Sequence, residues 1–184
     1  HLRIHQIMNQ ELNHHQKDLY TLIGFCSDEG VKRNQGRIGA AEAPDLIRAQ
    51  FANLPVHESI CIQDIGNVEC VNGELEQAHA QLAEQIKKRL EKHEKPIILG
   101  GGHEVAFGSF SGLFSYNQAH AQNKKIGIIN FDAHFDLREE AFVSSGTPFL
   151  NAAKLSEKFD QEFNYLCIGV AKHSNTKILF ETAD

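Results

Sequence analysis

From Leu19 onward, short runs rich in β-branched and aromatic residues alternate with longer stretches whose apolar residues recur three and four apart. That alternation predicts βαβ units, and hence an α/β protein whose mostly parallel sheet is covered by helices on both faces. Residues 20–26, 59–65, 96–99, 125–131 and 165–170 read as strands, each apolar enough for burial on both sides. A first helix starts near Pro44 and carries Leu46, Ile47, Gln50, Phe51 and Leu54 at helical spacing. Leu75, Ala78, Leu82, Ile86 and Leu90 mark a second, with a Glu84/Lys88 pair on its charged face. A third runs from about His103 with Ala106, Phe110, Leu113 and Phe114 inward, and Thr147-Pro148 caps a fourth. Two stretches break the rhythm. Residues 28–43 form a glycine-containing loop without periodicity, longer than a strand–helix connection needs. A helix beginning near Ser174-Asn175 reaches Asp184 after about two turns, so the sheet reads as unfinished.

The chain has 184 residues, the size of one domain or part of one. Its 18 Lys and Arg against 24 Asp and Glu give a net charge of −6, which sets up no positive field for nucleic acid. No run approaches the roughly 20 apolar residues of a membrane span. A small molecule is therefore the expected partner, with no nucleic acid and no membrane. Cys26, Cys61, Cys70 and Cys167 show no metal-finger spacing and no disulfide framework, which fits a reducing, cytoplasmic location. Residues 1–18 are polar, carry His1, His5, His14 and His15, and read as a flexible N-terminal segment without a secretory apolar core.

The chemistry concentrates in two places. Asn130-Phe131-Asp132-Ala133-His134-Phe135-Asp136 comes directly off an apolar strand, and in extended backbone Asp132, His134 and Asp136 would project to one side. The plain alternative is a polar loop whose acids cap the next helix. Gly100-Gly101-Gly102-His103-Glu104 follows another strand and opens a helix; its glycines permit a sharp turn that brings His103 to the strand's carboxyl end. A phosphate cradle is disfavoured, because no P-loop lysine follows. Together the motifs place His103, Asp132, His134 and Asp136 at neighbouring strand ends of one sheet, as the ligands of a metal site. Carboxylates and imidazoles without thiolate favour Mn2+, leaving Fe2+, Co2+ and Zn2+ open. His57, His79, His93, His120 and His173 have no paired ligand and read as solvated.

The pairing of G-G-x-H with D-A-H-x-D resembles the ureohydrolase family of arginase, agmatinase and formimidoylglutamase, over roughly residues 24–184. The glycine-rich stretch from Gly30 to Ala40 and the segment Asp64-Ile65-Gly66-Asn67 resemble further family motifs. Gly100 to Glu104, Ser144 to Phe149 and the segment from Gly169 to Thr176 are most similar to the formimidoylglutamase branch. The resemblance implies a three-layer αβα arginase-like fold, with residues 19–184 as the N-terminal portion of a single ureohydrolase domain. It implies two Mn2+ ions in the complete enzyme: His103 and Asp136 on one, His134 on the other, Asp132 bridging, and Asp136 also relaying a proton as the catalytic residue. Family members commonly form homo-oligomers.

The family's later aspartate motif, of the form S-x-D-x-D-x-x-D-P, does not occur here, so this chain is expected to bind manganese weakly and to have little activity. Ser145-Gly146 stands where arginases and agmatinases place a histidine before the glycine, which disfavours guanidinium chemistry. The implied reaction is hydrolysis of N-formimidoyl-L-glutamate to L-glutamate and formamide by metal-bound hydroxide, a step of histidine degradation. The alternatives are another manganese ureohydrolase acting on a guanidino compound, or an inactive fragment. A dianionic substrate needs cationic groups, and Arg33 and Arg37 are the candidates, with pairing to Asp28 or Glu42 as the competing reading.

Overall fold

The computed structural model describes residues 3, 4, 8, 19–57, 60–120 and 124–184. Strand β1 (Leu19–Cys26) leads through the short helix α1 (Glu29–Arg33) and a 3-10 turn (Ala40–Glu42) into helix α2 (Ala43–Phe51). Then follow β2 (Cys61–Glu69), α3 (Leu75–Glu91), β3 (Lys95–Leu99), α4 (Val105–Ala119) and β4 (Gly127–Phe131). Helix α5 (Pro148–Lys158), β5 (Asn164–Ile168) and α6 (Lys177–Ala183) complete the described chain. Every strand pairing is parallel. The βαβ reading is thus realised, and residues 28–43, expected to be irregular throughout, fold in part as α1 and the 3-10 turn.

The strands form two ladders rather than the one expected: β2-β1-β3, and separately β4-β5. The first is a complete three-layer unit. Ile23, Phe25 and Val68 pack on Leu75, Ala78, Leu82 and Ile86 of α3, while Leu22, Ile62 and Leu99 face the opposite side with Phe51 of α2. Leu82 is fully buried, and truncating such a leucine to alanine costs roughly 2–5 kcal/mol. Helix α4 lies tight against α3 because Gly112 has no side chain: a Cβ there would meet Ile86 Cβ at 2.7 Å. Through Phe110 and Phe114, α4 also reaches Ala152 of α5 and the β4 side chain Ile128. The other face of β4-β5 is open, with Ile129, Phe131, Leu166 and Ile168 exposed, although each strand is apolar enough for burial on both sides.

Several local expectations differ from what forms. Leu46, Ile47 and Leu54 are exposed; α2 seats instead through buried Pro44, half-buried Phe51 and Arg48, whose guanidinium grips Asp64 at 2.6 Å. Strand β2 runs on past Ile65 to Glu69, its register against β1 shifting between Leu22 and Gly24. Leu113 is exposed, because α4 buries Gly108, Phe110, Gly112 and Phe114 against its neighbours. His79, expected to be solvated, is buried between the rings of Phe25 and Phe107, because α3 turns it toward the sheet. Most of the flexible segment expected at residues 1–18 lies outside the described residues; of those described, Ile4 is buried against Leu22, Ile62 and Leu99.

Candidate metal centre

Both chemical motifs sit at the carboxyl ends of parallel strands. After β3, Gly100 and Gly101 take φ of 72° and 78°, which only glycine adopts without strain. A Cβ on Gly101 would also meet the Phe25 carbonyl at 2.6 Å. The turn is tied to the end of β1 by the Gly102 amide, which donates to Ser27 O at 2.8 Å. His103 therefore leaves the strand just ahead of α4, its ring edge-on to Phe149.

Beyond β4 the backbone does not stay extended, and that decides where the ligands point. Asp136 has φ 49°, a left-handed conformation unusual outside glycine. Asn175 holds this turn: its side chain accepts from the Phe135 amide at 3.0 Å and donates to Ala133 O at 2.8 Å. Tyr165 hydroxyl donates to Phe135 O at 2.9 Å, and the Asp132 amide donates to Ile168 O.

The result is a cluster rather than a row. His103 Nδ1 lies 2.6 Å from Asp136 Oδ2 and 3.5 Å from Asp132 Oδ2. His103, Asp132 and Asp136 each offer a ligand atom within 4.8 Å of the others, the arrangement that a divalent cation needs. His134 stands apart from this trio: its Nδ1 turns back to Asp132 Oδ1 at 3.1 Å, and its side chain is 52% exposed. Hydrogen bonding to Asp136 holds the His103 imidazole above its ordinary pKa against the pull of burial, with the charge of Asp132 adding to it. Burial pushes the Asp132 carboxyl up, but hydrogen bonds from the His134 amide and ring, with the charge of His103, hold it below its usual value. A hard donor set of one imidazole and two carboxylates fits Mn2+.

A cleft of about 430 Å³ is lined by Arg33, Asn34, Gln35, Arg138, Glu140 and Phe142. Arg33 is committed elsewhere: its guanidinium is bound by Glu29, both oxygens of Glu76 and the carbonyls of Gly73 and Val143. That removes it as a ready substrate ligand, while Arg37 is exposed and does not line this cleft. Arg138 does line it. Its Nη1 donates to Asn34 Oδ1 at 2.7 Å, and Asn34 Nδ2 in turn donates to Ser145 Oγ at 3.0 Å. Sequence reasoning passed over Arg138, although it sits two residues beyond Asp136 and so extends the same chemical run.

A family model described as the arginase family matches residues 19–184. Formimidoylglutamase of Chromobacterium violaceum is 46% identical over 162 residues, covering 88% of this chain and 51% of that protein. The Aeromonas hydrophila formimidoylglutamase is 49% identical over 166 residues, covering 89% of this chain and 51% of that protein. A crystal structure of a Trypanosoma cruzi formiminoglutamase variant with Mn2+ superposes with a TM-score of 0.82 at 23% identity, covering 98% of this chain and 61% of that one. The fold is thus arginase-like, and the chain spans about half the length of the curated relatives it matches.

Proposed function

The chain belongs to the arginase family, and from that premise we propose that the whole protein is a formimidoylglutamase-type hydrolase, converting N-formimidoyl-L-glutamate and water to L-glutamate and formamide. The observation that carries the reading is the meeting of His103, Asp132 and Asp136, with Arg138, two residues beyond Asp136, lining a cleft. The names of the bacterial relatives point the same way.

In the complete enzyme His103 and Asp136 would hold one Mn2+, His134 the other, and Asp132 both. The metal supplies the Lewis acidity that makes water nucleophilic near neutral pH. The remaining work falls to the chain. Arg138 has nitrogens beyond Nη1 that take no partner among the described residues, and a guanidinium fork suits a substrate carboxylate. Water oxygen adds to the formimidoyl carbon, the bond from that carbon to the glutamate nitrogen breaks, and the departing nitrogen takes a proton. Asp136 Oδ2, in contact with His103, is the atom that would take this proton from the attacking water and pass it to the departing nitrogen. Ser145, whose hydroxyl accepts from the cleft residue Asn34, stands in place of an imidazole, in keeping with an amidine rather than a guanidinium substrate. A cytoplasmic location fits four free thiols, and among the described residues no helix is long and apolar enough to cross a membrane.

The test is product analysis on the full-length protein loaded with Mn2+. Formamide and glutamate should appear from N-formimidoyl-L-glutamate, with no urea from guanidino acids; urea release without formamide would overturn the assignment.

A further inference from the structure

We propose that Glu104 is a positioning residue, whose buried carboxyl clasps the loop after β1 to the His103 turn and so holds Ser145 and Arg138 in register with the metal-ligand cluster. This deepens the hydrolase reading above and rests on it. Glu104 follows the candidate ligand His103 directly, yet its side chain is wholly buried and is not one of the clustered ligand groups. Its Oε1 accepts from the Gly30 amide at 3.0 Å and from Ser27 Oγ at 3.1 Å. A carboxyl in this position is costly unless hydrogen bonds compensate, and the surroundings are shaped to admit it. A Cβ on Gly30 would lie 2.5 Å from Glu104 Cδ, and one on Gly102 would collide with Oε2.

The contacts close a ring through three chain segments. Gly30, whose amide Glu104 binds, accepts at its carbonyl from the Ser145 amide at 3.0 Å. Ser145 Oγ receives Asn34, Asn34 receives Arg138, and the Arg138 amide donates to Gly146 O at 3.0 Å. Arg138 leads back along the chain to Asp136, and Asp136 to His103. Glu104 is the side chain of the His103 turn that grips the segment after β1, at the Gly30 amide and at Ser27 Oγ. Without it, α1 and the Ser145 turn are held less firmly to the His103 turn, while the ligands themselves stay in place.

The experiment compares Glu104→Ala, Glu104→Gln and Gly30→Ala in the full-length, Mn2+-loaded protein, reading amide exchange of peptides 27–34 and 139–147 alongside kcat, KM and metal content. In Glu104→Ala both peptides should exchange about tenfold faster and KM should rise about tenfold, since one buried hydrogen-bond anchor is lost; kcat and bound Mn2+ should change little. Glu104→Gln, which keeps the accepting oxygen, should stay close to wild type. Gly30→Ala displaces the carboxyl without altering residue 104 and should reproduce the loosening, so the proposal remains testable if Glu104→Ala fails to fold. Unchanged exchange in Glu104→Ala and Gly30→Ala, loss of metal with KM unchanged, or a Gln variant as impaired as the Ala variant would each overturn the proposal. An inactive wild-type enzyme would sink the hydrolase reading instead, and the exchange data would still decide the role of Glu104.

Discussion

Arg33 donates to both carboxylate oxygens of Glu76, Nη1 at 2.6 Å and Nη2 at 3.2 Å, binding the loop after β1 to the first turn of α3. The hydrogen bond to Glu76 leads the influences that raise the guanidinium's pKa, and the same bond lowers that of Glu76. Arg33 is therefore part of the scaffold, and Arg138 is the guanidinium left facing the cleft.

The two arginines should separate in a single comparison on the full-length protein. Arg33→Ala strips five acceptor atoms of their partner and is expected to cost about 1–3 kcal/mol of stability with KM nearly unchanged. Arg138→Ala should leave the thermal midpoint within a degree or two yet raise KM for the dianionic substrate by about 10-fold or more, the loss of a charge-assisted carboxylate contact. Steady-state kinetics beside thermal melts check both, and a raised KM in Arg33→Ala with none in Arg138→Ala would reverse the roles.

His79 sets a pH dependence of stability. Both of its ring nitrogens are buried, and desolvation pushes its pKa down to about 4 even though the nearby Glu104 backbone pulls the other way. The charge of Glu76 opposes that shift and the charge of Arg33 adds to it. The unfolded chain, with an ordinary histidine near 6.5, binds the extra proton first. Stability from this residue is therefore complete above about pH 6.5 and is lost as pH falls toward 4, by about 2 kcal/mol between pH 7 and 5. Urea titrations of wild type and His79→Leu at both pH values should differ by that amount in their pH response; equal responses would mean that the ring is not held neutral in the core.

Gly101 offers a test of the turn that presents His103. Its φ of 78° and the Phe25 carbonyl behind it leave no room for a methyl group. Gly101→Ala should destabilise the chain by about 2 kcal/mol or more, measured by denaturant unfolding, whereas an unchanged midpoint would show that the turn relaxes freely.

The strand–helix alternation was legible because strands buried on both faces read as continuous apolar runs, and the glycine turn before His103 was legible because three consecutive glycines have few other uses. The convergence of Asp132 and Asp136 was anticipated on a different geometry. An extended segment would have aligned His134 with them, but the left-handed φ of Asp136 and the clamp by Asn175 bend the loop and turn His134 outward. No local pattern encodes that bend, since Asn175 acts from far along the chain. The difference between Arg33 and Arg138 likewise depends on long-range contacts such as Arg33 with Val143.

The central claim is that His103, Asp132 and Asp136 form one cation site, and Mn2+ titration of the 184-residue chain followed by electron paramagnetic resonance addresses it most directly. One weak site per chain is expected, weakened at least about tenfold further by His103→Ala or Asp136→Asn. Binding unaltered by either substitution, or two ions held tightly and stoichiometrically by this chain alone, would contradict it.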